Sequence, residues 1–265
     1  PMARSVKDAA LLLSVQAGGD ARAPLSISES GTVFAMPLER EFKGTRIGWL
    51  GDFNGYLPME RGILELCEKT FADFEGLGCH IEAVQPDFAP QKLWGSWRTL
   101  RHWMVAGSLG AAYADPQKRA QLKPEACWEV ENGLKLSASE VFAASVARSD
   151  WYRSISRLFE QYDYLLLPSA QVFPFDKTLP WPTAINDITM DTYHRWMEVV
   201  IPGTLSGCPV ANVQAGFSES GLPMGLQIIG RYQADLSVLQ LAHAYERASD
   251  WYKRHPSPLL QDVQR

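Results

Sequence analysis

An α/β fold, with helices layered over a sheet, is what the sequence predicts. Short apolar runs of strand length alternate with longer stretches of helical periodicity, in the order β-α-β-α-α-β-α-β-β-α. One run, Tyr164-Leu165-Leu166-Leu167-Pro168, is apolar without interruption, the pattern of a strand covered on both faces. No internal repeat and no flexible linker divides the 265 residues, so one layered domain is expected.

The elements follow from local signals. Ser5-Val6-Lys7-Asp8 is an S-x-x-D capping box ahead of an apolar stretch at 9–15, and Gly18-Gly19 end that helix. Residues 20–41 are turn-rich and lack a period, as a surface loop does. A short strand is expected at 46–50. A helix over 58–77 places Ile63, Cys67, Phe71 and Phe74 on one face. A second strand at 79–84 completes a strand–helix–strand unit, which predicts parallel pairing. The stretch 91–113 reads as a long helix carrying Trp94, Trp97 and Trp103. Beyond a connector at Asp115-Pro116, Ser137-x-x-Glu140 caps another, with Trp151, Ile155, Leu158, Phe159 and Tyr162 as its apolar face. After the strand at 164–168 come a Pro- and Asp-rich loop (173–187) and a helix at 191–200. Strands are expected at 210–213 and 225–229. Asp235 opens a last amphipathic helix through Leu239, Ala242 and Tyr245.

Composition excludes several classes. Nine Trp, eleven Phe and nine Tyr, with 46% hydrophobic residues, supply a core that a disordered chain lacks. Twenty-five basic against thirty acidic residues, with no basic block, give a net charge of −5 and argue against a nucleic-acid partner. No apolar run approaches the roughly 18 residues that span a bilayer, so no membrane partner is expected. Cys67, Cys79, Cys127 and Cys208 form no C-x-x-C pair and read as reduced core residues of a cytoplasmic protein. A chain that opens on Pro1 and runs straight into helix reads as a piece of something longer.

Motifs that carry chemistry are sparse. Neither G-x-G-x-x-G nor G-x-x-x-x-G-K-[ST] is present, and there is no G-x-S-x-G elbow. Asp150, Asp163 and Asp191 lack flanking ligand patterns, so no metal site is expected. Ser206-Gly207-Cys208-Pro209, with His194 upstream, could offer a nucleophilic thiol; the preference of Cys for buried positions favours packing. The tryptophans at 94, 97 and 103 favour core packing over an aromatic pocket for a similar reason.

The order of the short blocks is more specific than any one of them. Pro1-Met2-Ala3-Arg4-Ser5-Val6-Lys7-Asp8 opens the chain, and Ala17-Gly18-Gly19-Asp20 with Pro24-Leu25-Ser26 follow. Gly44-Thr45-Arg46-Ile47-Gly48 comes next, then Asp163 and the Leu-rich run into Pro168. The last block pairs Pro202-Gly203-Thr204-Leu205-Ser206-Gly207-Cys208-Pro209 with Gly221-Leu222-Pro223-Met224-Gly225-Leu226-Gln227-Ile228-Ile229-Gly230. Together these resemble the amidase signature family. The resemblance implies that 1–265 is the C-terminal portion of a single domain with a mixed central sheet covered by helices.

The resemblance also implies acyl transfer. A Ser nucleophile attacks an amide carbonyl, assisted by a bridging Ser held in a cis peptide and by a Lys as ultimate base. Backbone N–H groups stabilise the oxyanion, and neither cofactor nor metal is implied. In the family those catalytic residues lie upstream of the segment that resembles Pro1-Met2-Ala3-Arg4. No displaced copy is found: Gly18-Gly19 precede Asp20, Ala106-Gly107-Ser108-Leu109-Gly110 sits in a helical stretch, and no lysine precedes a Ser-rich loop. No catalytic residue is therefore assigned in this chain.

Thr204, Ser206 and Pro209 belong to the block expected to approach the active site, and Gln227 is a fourth substrate-binding candidate. Alternatively, Gly203, Gly207 and Pro209 shape a helix-to-strand turn, and Gln227 satisfies buried backbone groups. The chain departs from the pattern at Asn212, where Ser is common, and at Gln214, where Pro is common. The implied activity is hydrolysis of a small-molecule carboxylic amide by the parent, with the isolated chain inactive. Two alternatives remain: the glutamine-hydrolysing subunit of a tRNA-dependent amidotransferase, and a non-catalytic binding protein derived from an amidase half. A sheet cut at its middle predicts self-association through the seam.

Overall fold

The computed structural model describes residues 1–249 and Trp251. Five strands form one mixed sheet: β1 (Arg46–Trp49), β2 (His80–Ala83), β3 (Tyr164–Pro168), β6 (Val210–Phe217) and β7 (Pro223–Ile229), in the order β2-β1-β3-β7-β6. β1 runs parallel to both β2 and β3, whereas β7 is antiparallel to β3 and β6. The parallel pairing expected for the first strand–helix–strand unit is present. Gly48 is what lets β1 lie between its neighbours. A Cβ there would come within 2.7 Å of Val84 Cγ1 and 2.8 Å of Leu165 Cδ2.

β3 is buried along its whole length, and its side chains divide between the two faces. Leu166 joins Ile47, Trp49, Phe74, Leu226, Ile228 and Tyr245 under the short helices α2 (Ile63–Glu68) and α3 (Phe71–Gly76). Leu165 and Leu167 face Trp151, Ile155, Val199 and Ile201 on the other side. The core is thus two layers separated by the sheet, which is why the strand reads as uninterrupted hydrophobe.

Three helices cover the second face. α4 (Pro90–Ala114) and α7 (Ala138–Leu158) are long; α7 starts at the reciprocal Ser137–Glu140 capping box that the sequence announces. Trp151 on α7 donates its indole N–H to the Pro202 carbonyl at 3.0 Å, tying α7 to α8 (Ile201–Ser206). α1 (Val6–Gln16) and α9 (Asp235–Ser249) pack beside β6, and the Val6 N–H donates to Glu246 Oε1 at 2.9 Å.

Several elements differ from expectation, each for a local reason. The helix expected over 58–77 is two: it begins only after Gly62, whose φ of 93° is left-handed, and it breaks where the Thr70 hydroxyl donates to the Cys67 carbonyl at 2.6 Å. The helix expected over 191–200 is a 3-10 turn, Arg195–Val200, leading into α8. Pro202 has no N–H to return to Glu198, so the chain tightens there instead of continuing as α-helix. Asp115-Pro116 is not merely a connector, because the Asp115 carboxylate accepts from the N–H groups of Gln117 and Lys118 and caps α5 (Pro116–Arg119). α6 (Pro124–Gly133) follows, and the loop over 173–187 ends in a small hairpin, β4 (Ala184–Ile185) with β5 (Ile188–Thr189).

Candidate functional site

The chain leaves β3 at Pro168 and turns across the end of the sheet, where two side chains fix its path. The Gln171 carboxamide is fully buried, donating to the Pro58 carbonyl and accepting from the Val199 N–H, both at 3.0 Å. Glu60 accepts from the Phe173 N–H at 2.8 Å. Held this way, the loop, the middle of β6 and the start of β7 border an open cavity of about 430 Å3. Val172, Phe173, Phe175, Trp196 and Met224 make its apolar wall, with Phe175 edge-on to Trp196 at 5.3 Å. Val172, Ile185 and Met190 pack beneath, so the small hairpin supports this wall. Ser169 and Asn212 are its polar lining nearest β7.

Behind the segment that carries Trp196 lies a buried ionic cluster. Glu129 on α6 is 1% exposed. Its Oε1 accepts from Arg101 Nε at 2.8 Å and from the Tyr193 hydroxyl at 2.7 Å, while His102 Nδ1 meets Oε2. His194 Nε2 lies 2.8 Å from Oε1 but off the line of a directed hydrogen bond, an electrostatic contact. Burial acts to raise the Glu129 carboxyl; the contacts from His102, His194, Arg101 and Tyr193 outweigh it and hold the group well below the usual carboxylate range. Glu198 goes the other way. Burial raises it, although Arg195 at 2.9 Å and the Tyr56 hydroxyl at 2.9 Å pull against that shift. The Arg195 guanidinium also lies 4.1 Å over the Trp94 ring. These groups clamp 191–200 to α4 and α6.

The residues singled out from sequence do not share one cavity. The Thr204 side chain is exposed and donates back to the Val200 carbonyl at 2.9 Å. Ser206 is buried, donating to the Gly203 carbonyl and accepting from the Cys208 N–H. Gln227 is buried as well, its amide donating to the carbonyls of Pro168 and Val199 at 2.7 and 3.2 Å. Pro209 lines a different opening, a groove of about 640 Å3 between the first residues of the chain, β6 and α9. Gly207, at φ 67°, ends α8 in the left-handed region.

Cys208 is not poised as a nucleophile. Burial pushes its thiol up, and His194 faces Glu129. Trp94 and Trp97 stack at 5.5 Å within the helical layer, whereas Trp103 is 55% exposed. Among the described residues no serine hydroxyl is hydrogen-bonded to a lysine, and no group of three His, Cys, Asp or Glu side chains is placed to hold a metal. No helix there is long and apolar enough to cross a membrane. Glu60, Gln171 and Glu129 escaped the sequence reading. Each is a lone polar residue without a motif.

Comparison with known proteins decides the family. The family model described as Amidase matches residues 1–239. The chain belongs to the amidase family. This amidase-family chain is 26% identical to an acylamidase of Rhodococcus erythropolis over 98% of its own length and 54% of the relative. It is 28% identical to a glutamyl-tRNA(Gln) amidotransferase subunit of Ralstonia nicotianae over 97% of its own length and 57% of that protein. A crystal structure of a bacterial aryl acylamidase of the amidase signature family superposes with a TM-score of 0.83 at 27% identity, covering 94% of this chain and 52% of that one. A 6-aminohexanoate cyclic dimer hydrolase shares the fold, at a TM-score of 0.79 and 19% identity. The mixed sheet flanked by helices is therefore the amidase signature architecture, and the chain spans about half the length of the curated relatives it matches.

Proposed function

We propose that this chain is the C-terminal portion of an amide-hydrolysing enzyme. It supplies one wall of the substrate pocket and part of the sheet, while the nucleophilic serine and its lysine come from chain outside these residues. One observation carries the reading: Asn212, Val213 and Gln214 of β6, an edge strand among the described residues, line both the apolar cavity and the larger groove. A segment docked along that edge would bring its own side chains to the mouth of the cavity. Pro209 would then lie at the junction, with Ser206 fixing the turn into β6, Thr204 bonded back within α8, and Gln227 tying the end of β3 to the 191–200 segment. The free thiols of Cys67, Cys79, Cys127 and Cys208 support a reducing, cytoplasmic setting.

Ammonia release from benzamide and propionamide tests this reading. The purified chain is expected to release none above buffer, and a longer parent containing the serine and lysine is expected to release it. Release by the chain alone, abolished by a serine-directed reagent, overturns the proposal. Glutamine given to the same parent separates a general amidase from a glutamine-hydrolysing subunit.

A further inference from the structure

The cavity beyond β3 has chemistry of its own, and the inference drawn from it rests on reading that cavity as the substrate wall. Among the described residues no charged side chain lines it, so an ionic ligand would find no counter-charge from them. Its wall is aromatic and aliphatic, and about 430 Å3 is room for a single ring with a short polar arm. Ser169 leaves the end of β3 and Asn212 stands on β6, and the two side chains converge over Gly225 of β7. A Cβ at 225 would lie 2.6 Å from Ser169 Oγ, 2.8 Å from Asn212 Oδ1 and 3.1 Å from Asn212 Nδ2, so only glycine lets both groups occupy that spot.

Neither group is spent elsewhere. Among the described residues the Ser169 hydroxyl has only the Met224 sulfur, at 3.9 Å, and the Asn212 carboxamide makes no hydrogen bond. A carboxamide offers one acceptor and one donor side by side, which matches the syn N–H and C=O of a neutral primary amide; a secondary amide, held trans, turns those two groups to opposite sides. A hydroxyl, the group common at this position in the family pattern, offers no such paired edge.

We propose that Asn212, with Ser169, selects a neutral primary amide bearing an aryl-sized apolar group. The carboxamide pairs with the ligand amide, and the ring lies against Phe175, Trp196 and Val172. An ester of the same shape lacks the N–H and leaves Asn212 Oδ1 without a donor, so it binds more weakly.

Calorimetric titration of the purified chain with benzamide, methyl benzoate, acetamide and glutamine tests this without relying on turnover. Benzamide is expected to bind at least about tenfold more tightly than acetamide or glutamine, and about three- to tenfold more tightly than methyl benzoate. Asn212 is exposed, so Asn212→Ala leaves the core untouched; it is expected to erase the amide-over-ester preference, benzamide losing both partners of the carboxamide and methyl benzoate only the Nδ2 donor. Trp196→Ala weakens both aryl ligands together. Benzamide binding no tighter than acetamide, or an amide preference that survives Asn212→Ala, overturns the inference. Those results concern selection in the cavity, whereas ammonia release by the isolated chain would strike at the missing nucleophile, so the two failures are distinguishable.

Discussion

Glu129 and Glu198 are both nearly inaccessible, at 1% and 4% exposure, yet burial wins for one and loses for the other. Four polar contacts hold Glu129 ionised, so Glu129→Gln leaves Arg101 and two histidines without their anion. Urea unfolding at neutral pH is expected to show a loss of about 2–4 kcal/mol, below the full value for a severed buried pair because Arg101 is partly exposed and can recruit water. The pH dependence follows from the direction of the shift. A carboxyl depressed below its ordinary 4.5 contributes stability that is complete above that value and is lost as pH falls toward the folded one. The acid limb of the stability curve should therefore flatten in Glu129→Gln. The Glu198 carboxyl is raised, so its ionisation costs stability as pH rises through the folded value, and Glu198→Gln should cost less than Glu129→Gln at neutral pH. Sequence alone reaches this scale unevenly. Gln227 was open to two readings, and the structure shows its amide spent on two backbone carbonyls. The Glu129 cluster was invisible, because its partners are scattered from Arg101 to His194 and meet only when α4, α6 and the 191–200 segment pack together.

Elements with a local signal were legible. The capping box at Ser137 and the apolar run of β3 were found because capping and strand burial are written in adjacent residues. Ser137→Ala is expected to cost about 1 kcal/mol, read as a lowered urea midpoint. The broken helices were not legible, since the break after Cys67 depends on where one threonine hydroxyl points. Nor was α6, whose seat on α4 is a glycine contact: a Cβ at Gly133 would lie 2.2 Å from the His102 carbonyl oxygen. Backbone cannot yield as a flexible side chain can, so Gly133→Ala should force the two helices apart and cost about 3 kcal/mol. Because His102 and Glu129 sit on those two helices, the same variant should also lose part of the Glu129 acid limb. A Gly133→Ala protein of unchanged urea midpoint would contradict the close α4–α6 contact.

Across the whole molecule, the order of short motifs carried more information than composition. Blocks scattered from Pro1 to Gly230 pointed to the amidase signature family, and the matched span of residues 1–239 bears that out. Where the cavity lies was less legible, because its wall joins a loop after β3, a 3-10 turn, the middle of β6 and the start of β7. An eight-residue edge at β6, bordered by a groove of about 640 Å3, predicts association of the purified chain. Sedimentation velocity should show species larger than a monomer, and Val210→Lys, a charge on an exposed edge position, should shift them toward monomer. A strictly monomeric chain across the micromolar range would count against an open seam.

The proposed half-enzyme would hold a substrate wall but no nucleophile. Intact-mass measurement after treatment with a fluorophosphonate, a serine-directed reagent, tests it most directly. An unmodified mass is the result expected for the isolated chain, with a longer parent containing the serine and lysine taking up one equivalent in parallel. Stoichiometric labelling of a single serine in the isolated chain would show a nucleophile where none is assigned, and would contradict the account.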